Sequence, residues 1–301
     1  MNPSFKNPII IMGMHRSGTS LVTQILESAG LFVGDKKDSN YESMLFKFLN
    51  QWILTNSSGS WDSPESIEYI LANKEMRNLT EDYLESILVS RHLINYLGLK
   101  NFLKYRKLDN LTFKWGWKDP RNTFTFPIWS TLFPKSNVIH VYRHGVDVAQ
   151  SLKVRYEKAK SREIQVHKLR KQNGHYYLFS KKRRGFVNSV HFHNLDNGLD
   201  LWNRYMTQAN FIVTSLNSRA LLVKYEDLLH TPQQTIQKLL QFCGLPSDQG
   251  DFLASNLKIK PSRAYAFKQD SKLEKYAIKH QDCLAKWGYG NLDKINELSG
   301  Q

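Results

Sequence analysis

Residues Pro8 to Gly30, PIIIMGMHRSGTSLVTQILESAG, restrict what this chain can fold into more than any other stretch. Ile9, Ile10, Ile11 and Met12 form an apolar run too short for a free-standing helix and rich in β-branched side chains, which predicts a strand buried on both faces. From Leu21 the period changes: Leu21, Val22, Ile25, Leu26 and Ala29 recur at helical spacing, and Gly30 stands where a helix would stop. Between them lie Gly13 to Ser20, a glycine-bounded turn that feeds a helix N-terminus. Such a turn gathers unpaired backbone N–H groups and the positive end of the helix dipole at one point, which suits an oxyanion. The nucleotide triphosphatase form of this loop needs a lysine after its second glycine. Here Thr19 follows Gly18, and the only fixed charge in the loop is Arg16. The plain alternative is a strand-to-helix turn whose glycines serve packing alone.

A chain of 301 residues suits one α/β domain with insertions. Its formal charge of +15 points to an anionic ligand, nucleic acid or an acidic surface without choosing among them. The charge is concentrated. Lys153 to Arg184 holds twelve Lys/Arg against Glu157 and Glu163, with Tyr156, His167, His175, Tyr176 and Tyr177 among them and little helical periodicity. This reads as an inserted lid or arm, spanning 153–195 within a single 1–301 domain. Cys243 and Cys283 lie far apart and outside any metal-ligand spacing, so no disulfide framework and no metal site is expected. No segment approaches eighteen apolar residues and no apolar leader precedes the first strand, so the expectation is a soluble, cytoplasmic protein.

Further along, YESMLFKFLNQWIL predicts an amphipathic helix with Met44, Leu45, Phe48, Leu49, Trp52 and Ile53 on its face. Glu42 at its start has two readings. Ser39-x-x-Glu42 matches a capping box, the better reading from spacing alone, whereas a position beside the anion loop would make it a base. Glu65 to Leu97 reads as mostly helical with a stop at Gly98. Phe113 to Trp117 predicts a second strand that runs into Lys118-Asp119-Pro120-Arg121, at the carboxyl end where open α/β sheets bind ligands. Asn137 to Tyr142 predicts a third strand, ending at Arg143 before a helix that carries Ser151, so strand, basic residue, glycine and helix repeat. Arg143 and Ser151 could grip a second phosphate. Asp196 to Leu216 predicts a helix and Ala220 to Val223 a fourth strand, followed by Tyr225. Thr231-Pro232 opens a helix closed by Gly244, Lys258 to Lys268 forms a basic loop, and a last helix falls around Leu273 to Trp287.

Taken together, PIIIMGMHRSGTSL, NYESMLFKFLN, KWGWKDPRNTFTFPIW, VIHVYRHGVDVAQSL and LLVKYEDLLHTPQQTIQKLLQFCGL resemble the sulfotransferases that use 3′-phosphoadenosine-5′-phosphosulfate (PAPS), in their bacterial-type form. The resemblance implies a parallel sheet flanked by helices in a P-loop-like architecture. It implies that Arg16, Ser17, Gly18, Thr19 and Ser20 hold the donor's 5′-phosphate, and that Arg143 and Ser151 hold the 3′-phosphate. Tyr225, Ser262 and Arg263 would complete the donor site, although the glycine-rich form of the last loop is absent. Lys118 would meet the transferring group, with Arg16 beside it, and Glu42 looks like the glutamate base of the tyrosylprotein branch. PAPS is then the donor, 3′-phosphoadenosine-5′-phosphate (PAP) the product, and no metal is needed. The acceptor would be a hydroxyl, on a carbohydrate or acidic glycan in view of the basic arm, with no nucleic acid expected. Two other classes compete: a P-loop kinase acting on a small molecule, which Thr19 opposes, and a module binding nucleic acid or another polyanion. Should Glu42 prove a cap, His15 and the histidines of the arm are the next candidate bases.

Overall fold

The computed structural model of the chain describes residues 7–173, 189–246, 250, 254 and 260–290. Four strands, β1 (Ile9–Met12), β2 (Gly116–Lys118), β3 (Asn137–Tyr142) and β4 (Ala220–Lys224), form one parallel sheet in the order β2-β1-β3-β4. All four residues of β1 are buried, as its uninterrupted apolar run requires. Ile11 is in register with Lys118 on one side and Ile139 on the other. The carboxyl ends of three strands therefore open beside one another, with β1 in the middle.

The α-helices bounded within the described residues, in chain order, are α1 (Thr19–Ser28), α2 (Met44–Asn56), α3 (Ile67–Ala72), α4 (Lys74–Val89), α5 (Ile94–Tyr105), α6 (Asn122–Leu132), α7 (Gly145–Gln172), α8 (Leu195–Leu216), α9 (Tyr225–His230), α10 (Pro232–Cys243), α11 (Ser271–Lys279) and α12 (Gln281–Ala285). The chain divides into two compact units, one made of Met1–Arg143 with Tyr205–Ala264, the other of His144–Arg204 with Tyr265–Gln301. In the first, Ile9, Ile11, Val22, Ile139, Val223, Ile236 and Leu240 form one apolar core between the sheet and helices α1 and α10. In the second, the start of α7 packs so closely on α8 that a Cβ on Gly145 would stand 2.7 Å from the Trp202 ring. The Asp147 carboxylate accepts the N–H groups of Ala266 (3.2 Å) and Phe267 (2.8 Å).

Several expectations are corrected. The capping box is absent: α2 begins at Met44 with Ser43 as its N-cap, so Ser39 and Glu42 both precede the helix. The cause is Asp38, whose carboxylate takes the N–H groups of Asn40 (2.8 Å) and Glu42 (3.0 Å) and curls the chain into a turn with Tyr41 at φ +62°. The buried face of α2 is rotated from the expected one, holding Leu45, Phe46, Leu49, Ile53 and Leu54 and leaving Met44 and Phe48 exposed. Gly98 breaks α5 at φ +73° but the helix resumes to Tyr105. Strand β2 starts at Gly116 rather than Phe113, because upstream of it only Trp115 pairs, through a bridge to Phe32. The final helix is two, divided at His280.

The basic stretch is not irregular where it is described: residues 153–172 continue α7. Between Gly145 and Gln172 there is no proline and no second glycine, and Lys, Arg, Glu, Gln, Ala and Leu hold a helix without a sustained apolar face. Residues 174–188 of the expected arm, including His175, Tyr176, Tyr177 and Lys181 to Arg184, lie outside the described residues, as does Lys258. Among the described residues no helix is long and apolar enough to cross a membrane.

Candidate active site

The anion loop leaves β1 at Met12 and turns on two glycines that no other residue could replace. A Cβ on Gly13 would fall 2.1 Å from the Val141 carbonyl oxygen, and one on Gly18 would fall 2.2 Å from Cδ2 of Tyr225. Both glycines have positive φ, and Arg16 between them adopts φ +73°. Gly18 is the N-cap of α1 and offers no side chain to cap the first turn, where the Leu21 N–H donates to the Gly18 carbonyl at 3.0 Å. Arg16 is exposed. The Ser17 hydroxyl is fully buried and has no hydrogen-bond partner among the described residues. An orphaned buried hydroxyl beside a helix start without a side-chain cap fits an oxyanion that would complete it. Thr19 is also buried, and Ser20 donates to the carbonyl of Asn40 at 2.8 Å, tying α1 to the turn that carries Glu42.

That turn delivers Glu42 to the end of β2. Its carboxylate is buried, with Oε1 3.1 Å from Lys118 Nζ and Oε2 facing Lys47 at 3.4 Å and Arg121 at 3.9 Å. Lys118 is itself 1% exposed. Arg121 makes a two-pronged pair with Asp119 (2.9 and 2.8 Å) and donates to Gln51 at 2.9 Å, which holds its guanidinium in place. Lys47 contacts Asp38 as well as Glu42. Burial works against its charge, yet these two carboxylates hold its pKa above the ordinary lysine value. Burial likewise raises Asp38, but Lys47 and the two amides prevail and draw it below the usual carboxylate range. Lys118 and Glu42 were both legible in the sequence as single residues. Lys47 and Asp38 were not singled out, since only the curled turn brings them to Glu42.

Behind this cluster an all-buried polar network fixes β2. Asn122 donates to the Ile11 carbonyl at 3.0 Å and accepts from Trp117 Nε1 (3.0 Å) and Asn50 (2.8 Å), while Asn50 accepts from Thr125 (2.7 Å) and Trp129 (2.8 Å). These residues rivet β1, β2, α2 and α6 together, so Lys118 leaves a rigid edge.

A second basic group closes the other side of the loop. The Arg143 guanidinium lies 4.8 Å from the centre of the Tyr225 ring and donates to the carbonyl of Arg263 at 2.7 Å. Tyr225 is buried, and the same ring meets Gly18. Ser262 and Arg263 are exposed in a short 3-10 turn, Pro261–Arg263. Arg16 to Ser20, Glu42, Lys118, Arg143, Tyr225, Ser262 and Arg263 thus all belong to the first compact unit. Ser151 belongs to the second, half-buried on α7. His15 stands edge-on to Trp61 at 4.5 Å and to Tyr205 at 6.4 Å, away from any role the sequence predicted as primary.

Among solved structures, the chain is similar to the sulfotransferase domain from the curacin biosynthetic pathway, with 17% identity, 90% of this chain and 96% of that one covered, and a TM-score of 0.46. It is similar to a sulfotransferase from Mycobacterium tuberculosis (15% identity, 84% and 71% covered, TM-score 0.43). It is also similar to the sulfotransferase domain of a Synechococcus olefin synthase (18% identity, 88% and 89% covered, TM-score 0.41). No curated protein matches the sequence. The model of the sulfotransferase family matches residues 8–249, from the first strand to beyond α10, and on that match the chain belongs to the sulfotransferase family.

Proposed function

We propose that this protein transfers the sulfuryl group of PAPS to a hydroxyl of a carbohydrate acceptor. The observation that carries the proposal is the buried Glu42–Lys118 pair at 3.1 Å, held by strand register beside the loop that follows β1. The loop from Arg16 to Ser20 would take the donor's 5′-phosphate, for which the orphaned Ser17 hydroxyl and the uncapped first turn of α1 are suited. Arg143, backed by Tyr225 and by the turn at Ser262 and Arg263, would take the 3′-phosphate, and Ser151 joins it on the resemblance alone.

The reaction then runs on charges this chain supplies. The acceptor O–H loses its proton to Glu42 as its oxygen bonds to sulfur, and the bond from sulfur to the 5′-phosphate oxygen breaks. Negative charge gathers on the departing phosphate. Lys118, Arg16 and the α1 amides stabilise it there, because fixed cations and dipoles in a water-poor site need no reorganisation. Lys118 therefore has two partners in succession, the Glu42 carboxylate at rest and the donor in the complex.

The test is nucleotide discrimination. PAP at a hundredfold its Kd should stabilise the fold by about 2.7 kcal/mol and so raise the melting temperature well above the effect of ATP with Mg²⁺. PAP should also bind more tightly than adenosine 5′-phosphate, and Arg143→Ala should abolish most of that preference. An Arg143→Ala protein that still prefers PAP to the same degree would remove Arg143 from the 3′-phosphate site.

A further inference from the structure

The last five turns of α7 have no place in the chemistry above. From Lys153 onward no residue of this helix is buried, although its first turns are. The exposed part extends about 30 Å at 1.5 Å per residue. Over residues 153–172 it carries eight Lys/Arg against Glu157 and Glu163, a net +6. Arg155, Lys158, Lys160, Arg162, Lys168 and Lys171 are all exposed, and Glu157 is engaged by Lys160 at 3.4 Å. Lys158 and Arg162 stand one turn apart and repel.

At about 100° per residue these cations span about 220° of the circumference, and the remaining face holds the half-buried Tyr156, Ala159, Glu163, Val166 and Arg170. Its exposed apolar residues, Val154, Ile164 and Leu169, spread over about 140° of the circumference. Lys158 and Lys168 fall inside that same arc. A helix that lies in a membrane interface needs one clean apolar face, and this one has none. A helix packing on a protein would need the same. A rod that is cationic over most of its circumference instead suits a flexible linear polyanion, which can follow it lengthwise and release counterions along its length.

We propose that residues 153–172 of α7 form a docking surface for an anionic polysaccharide, so that the acceptor is an already acidic polymer rather than a small neutral sugar. The choice of polysaccharide over nucleic acid rests on the sulfuryl-transfer reading, which requires a hydroxyl acceptor. The stretch also offers only Tyr156 and His167 as stacking rings, few for a single-stranded nucleic acid.

The experiment uses the full chain and a variant with Lys158→Gln, Lys160→Gln, Arg162→Gln and Lys168→Gln, none of which is buried. Binding of a fluorescent heparin oligosaccharide is followed by anisotropy between 50 and 300 mM salt. Duplex DNA of equal charge and PAP are measured in parallel. The expected result is heparin binding whose logarithm falls steeply with log salt, a slope lower by about two to three in the variant, and affinity lower by about tenfold or more. PAP affinity and helix content should not change. Equal heparin affinity in the two proteins, or tighter binding of DNA than of heparin to the wild type, would overturn the proposal. A wild type that binds heparin through these residues but not PAP would instead overturn the donor reading and leave the polyanion surface standing.

Discussion

Replacing Glu42 by glutamine should separate chemistry from stability, and the geometry gives the size of both effects. The side chain keeps its shape and the amide oxygen can still accept from Lys118 Nζ, now at 3.1 Å from Oε1, but the charge is gone. At an effective dielectric of 20, two unit charges at that distance attract by about 5 kcal/mol. Part of this is offset because a neutral amide costs less to bury than a carboxylate, which leaves about 3 kcal/mol, in the range found when one member of a buried pair is removed. An unfolding entropy of about 2.1 cal/mol/K per residue over 301 residues converts that to a melting temperature lower by about 5 °C. Turnover should fall much further, by about 10² to 10⁴, since the amide cannot take the acceptor's proton. The assay is single-turnover transfer from labelled PAPS, beside thermal unfolding with and without PAP. Adding Lys118→Met should restore most of the lost stability, because no uncompensated cation remains, while activity stays lost. Near-normal transfer by Glu42→Gln would refute the assignment of the base, and a double variant no more stable than the single one would refute the electrostatic account of the pair.

Two other predictions follow from buried contacts. Gly18→Ala should weaken PAP binding at least about tenfold and destabilise the fold by roughly 1–3 kcal/mol, because its Cβ would meet a buried ring at 2.2 Å in a backbone conformation unsuited to alanine; undiminished PAP binding by Gly18→Ala would dispose of the argument. His140, in register with Met12 inside the sheet, is pushed down to about 4 by burial, so between that value and about 6.5 the unfolded chain binds the extra proton; stability should be fully present above pH 6.5 and fall by roughly 3 kcal/mol on approaching pH 4, urea unfolding at pH 7 and 4.5 should show it, and an equal drop in a His140→Leu protein would exclude this histidine as the cause.

Strands β1, β3 and β4 were legible because each is a short apolar run bounded by a sharp change of composition, and β1 and β3 begin and end where the pattern does. The loop at Gly13 to Gly18 was legible because its chemistry is local: two glycines, one arginine and a helix start. Helix α6 was not, since Phe, Thr and an internal Pro127 hide its period, and its burial against α2 and β1 is what sustains it. The environment of Glu42 was misjudged for a related reason. Spacing suggested that it folds back on Ser39, whereas the side chain of Asp38 claims the nearby amides and turns Glu42 toward a strand seventy-six residues away in the chain. Such a turn is decided by tertiary partners, Lys47 and Lys118, that no local pattern contains. The start of α7 was legible, but its continuation from Lys153 to Gln172 was missed in the opposite sense, because periodicity tests for an apolar face and this part of the helix forms without one.

The Tyr225 ring, wedged against Gly18 on one edge and covered by Arg143 on a face, has the character of a gauge block. The loop cannot come closer to the arginine than the thickness of one phenol, and the ring is buried, which opposes its swinging away. A ligand gripped at both ends must therefore span a set length. Discrimination among nucleotides would then be metric before it is electrostatic: molecules with the same charge but a shorter or longer reach between their anionic ends would fail at one grip or the other, and replacing the tyrosine by a larger or smaller side chain would retune the preferred length rather than abolish affinity outright.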